Sequence, residues 1–289
     1  MKYIYLTIFY LLVAVVSFFG AYSCQNPKNK YTSPEGYDFG KPDKFTMPSS
    51  LLEISGIAFY HHNSDTVYSI QDEDGKLFRQ AWDVKKQKNM KFGAKGDYEE
   101  LAIMAEQVFV LKSNGHIYAF PMSETTKTES KNVKISKHVL PKGEYEGLYA
   151  DELKSQLYVI CKSCAIDKKT KQVTGYVLDY NAGQDSIMLS GSFKLDLNQI
   201  KVVNAEAKSS LSPSALTKNP RTGEWYILAS ANKQLVITDA NWKIKEVHKL
   251  NSSAFNQPEG IAFDQQLNLF ISNEGDEVNE GNILKFKYK

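Results

Sequence analysis

Gln257-Pro258-Glu259-Gly260-Ile261-Ala262 is one of five versions of a single phrase in this chain. The others are Glu53-Ile54-Ser55-Gly56-Ile57-Ala58, Asp97-Tyr98-Glu99-Glu100-Leu101-Ala102, Glu144-Tyr145-Glu146-Gly147-Leu148-Tyr149 and Ser212-Pro213-Ser214-Ala215-Leu216-Thr217. Each runs from a polar residue to a small one (Glu100 excepted), then to Ile or Leu, mostly with Ala behind it. The central positions, Ser55, Glu99, Glu146, Ser214 and Glu259, lie 44, 47, 68 and 45 residues apart. A fixed period of this length points to the blades of a propeller.

The residues after each start repeat as well. A few polar residues lead into β-rich runs such as Thr66-Val67-Tyr68-Ser69-Ile70, Gln107-Val108-Phe109-Val110-Leu111 and Leu269-Phe270-Ile271-Ser272. A Gly-marked turn and a further strand come next, as in Gly115 to Phe120 and Gly281 to Phe286. Runs of β-branched and aromatic residues bounded by Gly, Asn and Asp are hairpin signals, and no amphipathic helix of useful length separates them. The expected fold is all-β: one β-propeller of five blades, the long fourth interval leaving room for a sixth. The last unit stops near Tyr288, before its outermost strand. Lys44-Phe45-Thr46-Met47-Pro48 is placed to supply that strand from the other terminus, which would also remove an exposed sheet edge.

The N-terminus sets the expected compartment. Met1-Lys2 is followed by an uncharged apolar run from Ile4 to Phe19, then by Gly20-Ala21-Tyr22-Ser23 and Cys24. A basic start, an apolar stretch and a small-residue cleavage site are the layout of a secretory signal. Cys24 directly after Ala-Tyr-Ser resembles a bacterial lipobox, whose Cys is acylated, although Ala21 stands where Leu is usual. The alternatives are an uncleaved N-terminal anchor or an ordinary signal with an incidental Cys. Gln25 to Lys44 is polar and aperiodic, the composition of a tether. The expected organisation is a lipoprotein signal over 1–23, a flexible tether over 24–44 and the propeller over 45–289. The protein is expected to be a monomer in the cell envelope, held by its lipid and facing the periplasm or the cell surface.

The start phrase, the wording of Gln257 to Asp264 and the Ser272-Asn273-Glu274 beyond it resemble the SdiA-regulated family. Glu53 to Ala58 and Gln71-Asp72-Glu73 fit the same pattern. The resemblance spans about Phe45 to Tyr288, and related starts occur in phytase-like and other calcium-binding propellers. It implies a propeller, export and a link to calcium, and it implies no known reaction.

Repeat-equivalent residues converge at a propeller's axis. Glu99, Glu146 and Glu259 are therefore expected near one another, with Asp72 and Glu274 as neighbours from the ends of second strands. Crowded carboxylates raise one another's pKa unless a cation neutralises them, and hard oxygen ligands suit calcium. The competing reading is structural: recurring glutamates that cap strands or accept N–H bonds between blades. Gln71-Asp72-Glu73-Asp74-Gly75 is nearest to a local calcium loop and more economically an acidic hairpin turn. Cys161-Lys162-Ser163-Cys164 lacks a second pair for zinc and a helix for thioredoxin chemistry, so a local disulfide is the better reading, with free thiols as the alternative.

The net charge is +2, and only Arg79 and Arg221 are arginines. A nucleic-acid partner is not expected, since it asks for a basic stripe. The five His residues show no metal-binding spacing, and His61-His62 is expected in a solvated turn. No phosphate loop or nucleophile elbow occurs. A binding protein for an unidentified ligand or envelope partner is expected rather than an enzyme; a metal-dependent hydrolase of the phytase or lactonase type is the alternative.

Overall fold

The computed structural model describes residues 31–82 and 87–289. The expected signal segment and Cys24 lie outside the described residues. Strand β1 (Asp43–Thr46) comes first, and the chain then lays down four-stranded antiparallel sheets in order. Blade one is β2 (Ile54–Ala58), β3 (Val67–Gln71), β4 (Lys76–Gln80) and β5 (Lys88–Lys91). Blade two is β6 (Tyr98–Met104), β7 (Gln107–Lys112), β8 (Ile117–Pro121) and β9 (Lys134–Ser136). Blade three has the longest strands, β10 (Gly143–Asp151), β11 (Gln156–Cys164), β12 (Gln172–Asn181) and β13 (Ser186–Asp196). Blade four is β14 (Ala215–Lys218), β15 (Trp225–Ala229), β16 (Gln234–Thr238) and β17 (Ile244–Lys249). Blade five is β18 (Gln257–Phe263), β19 (Leu269–Glu274) and β20 (Asn282–Phe286), completed by β1.

The first strands touch in cyclic order, β2 to β6 to β10 to β14 to β18 and back to β2, so the five sheets form a closed ring. Closure uses the N-terminal strand: Asp43 to Thr46 pairs antiparallel with Lys285 to Asn282. Phe45 packs on Trp82 of blade one at 4.6 Å, joining the seam to its neighbour. Five apolar clusters among the described residues each lie between two successive blades, so the core consists of inter-blade layers. This explains the many Phe and Tyr in the strands: each blade face is buried against the next.

The five blades expected are the five observed, and the long fourth interval holds no sixth. Its length goes into the ten- and eleven-residue strands β12 and β13 and a short helix, α1 (Asn198–Val203), whose Ile200 is buried. The folded unit also begins at Ser33 rather than Phe45. Tyr37 and Phe39 are both 7% exposed. The Phe39 ring meets Phe286 at 4.7 Å and Phe255 at 5.5 Å, and the Tyr37 hydroxyl donates to the Leu267 carbonyl at 2.7 Å. Two aromatic side chains outweigh the polar composition around them, because each buried ring contributes about 1.5–3 kcal/mol. Among the described residues no helix is long and apolar enough to cross a membrane.

Candidate functional site

The repeated phrase builds a bulge. Registers skip between Ile54 and Ile57, Tyr98 and Glu100, Tyr145 and Gly147, and Pro258 and Gly260. Glu99, Glu146 and Glu259 are each the extra residue, and a bulge re-aims the side chain it carries. Ser214 stands just before β14, its N–H bonded to the Leu228 carbonyl at 2.9 Å. The glycine behind the central residue is a matter of close approach. A Cβ on Gly260 would lie 2.6 Å from the Ser55 carbonyl oxygen, and one on Gly56 would lie 2.7 Å from the Leu101 nitrogen. Blades meet backbone to backbone at this layer.

The central residues divide into two jobs. Ser55 donates its hydroxyl to the Glu99 carbonyl, and Ser214 donates to the Pro258 carbonyl at 2.7 Å. Ser272 donates in turn to the Ser55 carbonyl at 2.7 Å. These serines latch one blade to the next. The glutamates instead gather at one mouth of the channel, near enough for their charges to act on one another. Burial pushes Glu99 up to about 9, with Glu146 and Asp97 adding to the effect. Burial likewise raises Glu274 to about 8, helped by Glu259 and Asp72. Glu146 rises to about 7, burial working against a hydrogen bond from Lys162. Asp72 reaches about 6 through burial and the nearby Glu53 and Glu73. Glu259 is raised by burial, opposed by Ser230 and Lys162. All five carboxylates singled out in the sequence therefore share one end of the ring.

Three further residues belong here. Glu100 stands where other blades have Gly or Ala, is 1% exposed, and is raised well above its ordinary value by burial. Its Oε1 accepts the Leu101 N–H at 3.0 Å, while Oε2 has no hydrogen-bond partner among the described residues. The Asn273 Oδ1 and Asp72 Oδ1 atoms are buried in the same condition. Lys162, from β11, forms an ion pair with Glu146. Sequence signals existed for two of these: Glu100 is the exception in the small-residue position, and Lys162 lies one step beyond Cys161 on the second strand, as Asp72 and Glu274 lie beyond Gln71 and Asn273.

The donors are hard oxygens, the chemistry calcium prefers. They are arranged as a ring around the channel: among the described residues no three His, Cys, Asp or Glu side chains come close enough to hold one metal ion. Gln71 to Gly75 forms the hairpin turn between β3 and β4, tied by an Asp74–Lys76 ion pair at 2.7 Å. Cys161 and Cys164 are bonded to each other within β11.

The other mouth holds a cavity of about 590 Å³. Ala58, Ala102 and Ala262, the last residue of three start phrases, line it and keep it wide. His61 and His62, at φ 48° and 57°, and the Asp151–Lys218 ion pair at 3.1 Å stand at its rim.

The sequence model of the SdiA-regulated family matches residues 46–277. The chain belongs to the SdiA-regulated family. Among solved structures, this family member resembles a glutaminyl cyclase from Myxococcus xanthus, with a TM-score of 0.56 and 13% identity over 86% of this chain and 95% of that one. It also resembles a luciferin-regenerating enzyme, with a TM-score of 0.51 and 10% identity over 86% of this chain and 95% of that one. At such identities the likeness is one of fold. No curated protein matches the sequence.

Proposed function

We propose that this SdiA-regulated propeller is an exported, lipid-anchored binding protein of the cell envelope whose acidic channel mouth takes up a divalent cation, calcium by its donor chemistry. The observation that supports this is the gathering of Glu99, Glu146, Glu259, Glu274 and Asp72, all with pKa values raised, at one end of the ring. Buried carboxylates that hold protons at neutral pH exchange them for a cation, so binding releases protons and strengthens as pH rises. Buried acceptor oxygens without donors, on Asp72 and Asn273, favour the same exchange.

The test is the thermal stability of the full chain in detergent against a panel of metals. Calcium at a hundredfold over its dissociation constant would add about 2.7 kcal/mol, a rise of about 5–10 °C for a domain of this size. The rise should be larger at pH 8 than at pH 6. No response to calcium or to chelator at either pH sinks the reading.

The hydrolase alternative has one observation in its favour: Glu146, at about 7, is poised as a general base. Glutaminyl cyclase and the luciferin-regenerating enzyme are enzymes by name, and fold likeness does not carry an activity across. A ring of carboxylates repels phosphate esters, so lactones are the substrates to try. Turnover that Glu146→Gln leaves intact, or no turnover at all, dismisses this alternative.

A further inference from the structure

Lys162 is placed by two irregularities that face each other. On β11, Ser163 pairs with Glu144 and Cys161 with Tyr145, which leaves Lys162 as the extra residue of a bulge. On β10, Glu146 is the extra residue of the very next bulge. Facing bulges thus turn an ammonium and a carboxylate out of the sheet at one point, and Lys162 Nζ donates to Glu146 Oε1. The lysine is flanked by the bonded cysteines, whose Cα atoms are 6.0 Å apart. Three residues of extended strand span about 10 Å, so the chain between the cysteines buckles, and Lys162 sits in the buckle. The cysteines are themselves held: they are 1% and 4% exposed within the layer between blades two and three.

We propose that the Cys161–Cys164 disulfide holds Lys162 as the internal counter-cation of the glutamate ring. Its ammonium acts on Glu99 and Glu259 as well as on Glu146. Lys162 stands at the second-strand position that carries Asp72 in blade one and Glu274 in blade five, which places a positive charge where those two blades place a negative one. The groups acting on Glu146 beside Lys162 are Glu259 and Asp97, with Glu99 next to them. All three are acidic, so removing Lys162 takes away the cation paired with Glu146; Lys233, the other lysine of the mouth, acts on Glu259. The assignment of Lys162 stands apart from calcium, although its effect on an outside cation rests on the proposed function.

The test compares thermal melts of the full chain at neutral pH and low salt, in chelator and then in calcium, for wild type, Lys162→Met, Lys162→Arg and the Cys161→Ala/Cys164→Ala variant. In chelator, Lys162→Met should melt about 2–4 °C below wild type, while Lys162→Arg, which keeps the charge, should melt with wild type. Added salt should narrow the gap between Lys162→Met and wild type, since it screens an exposed pair. Lys162 is exposed, so Lys162→Met folds without repacking a core. A Lys162→Met melt equal to wild type, or a loss that Lys162→Arg shares, overturns the counter-cation; a folded cysteine variant with wild-type salt dependence overturns the part given to the disulfide. Calcium should bind Lys162→Met about tenfold more tightly than wild type, one unit of like charge having been removed. If Lys162→Met alone loses stability while calcium shifts neither protein, the counter-cation stands and the calcium reading of the mouth falls.

Discussion

Replacing Glu99 by Gln separates a charge from its shape. The Glu99 carboxyl titrates at about 9 in the folded protein, against an ordinary 4.5. Between those values the folded state keeps a proton that the unfolded chain releases. A carboxyl raised in this way supports the fold at low pH and loses that support as pH climbs towards 9. Each pH unit of difference is worth about 1.4 kcal/mol, so at pH 8 the limiting loss is about 5 kcal/mol. Glu99 keeps partial contact with water at the channel mouth, and solvent screening brings the figure down to about 2 kcal/mol. Glutamine has the shape of the neutral acid and carries no such liability. Glu99→Gln should therefore melt about 4–8 °C above wild type at pH 8 and within a degree or so of it at pH 5. Calorimetric melts in chelator across pH 5 to 9 provide the measurement. A variant no more stable than wild type at pH 8, or an advantage that does not change with pH, would refute the reasoning.

Other perturbations probe the anchor, the seam and the latches. Cys24→Ala should release the protein from the membrane fraction without unfolding it; an unchanged distribution favours an uncleaved anchor. A chain starting at Met47 loses β1 together with Tyr37 and Phe39, whose burial alone contributes about 3–6 kcal/mol; its melting temperature should fall by about 10 °C or more, with aggregation through the bare edge of β20 measured by light scattering. Glu100→Gln should be at least as stable as wild type and gain on it as pH rises, because burial raises the Glu100 carboxyl and disfavours a charge that Gln does not carry, while Glu100→Ala leaves a cavity costing about 2 kcal/mol. A Gln variant worse than the Ala variant in denaturant titrations, or an advantage over wild type that does not grow with pH, contradicts this reading of Glu100. Ser214→Ala should cost about 1 kcal/mol by loss of the latch to blade five, read by the same titrations.

The ring was legible because it repeats: five start phrases, each followed by strands, point to five blades, and only the 68-residue fourth interval left room for a sixth until its length was seen to go into β12, β13 and α1. Closure by β1 was legible too, from a last unit that ends one strand short. Repeat equivalence also placed Glu99, Glu146 and Glu259 in one region. It did not show that Ser55 and Ser214 bond to the next blade, since Ser and Glu occupy the same slot and only a backbone carbonyl within reach tells them apart. Lys162 was hidden for another reason. A bulge sets two residues against one, so strict alternation misassigns the side of every residue beyond it, and the Cys-x-x-Cys pattern drew notice to the cysteines rather than to what lies between them. Tyr37 and Phe39 were obscured by averaging: two buried rings in a largely polar stretch barely alter composition, yet decide where the domain begins.

The docked segment before β1 has a mechanical consequence. Any force on the chain N-terminal to Ser33 reaches the ring through this stretch. It meets the Tyr37 and Phe39 rings and the Lys289–Gly36 backbone bond before it reaches the β1–β20 pairing. The two aromatic side chains act as strain relief, as a knot does where a cable enters its housing. A tug must draw them out of the apolar layer first, and only then does it load the strand that keeps the five blades closed.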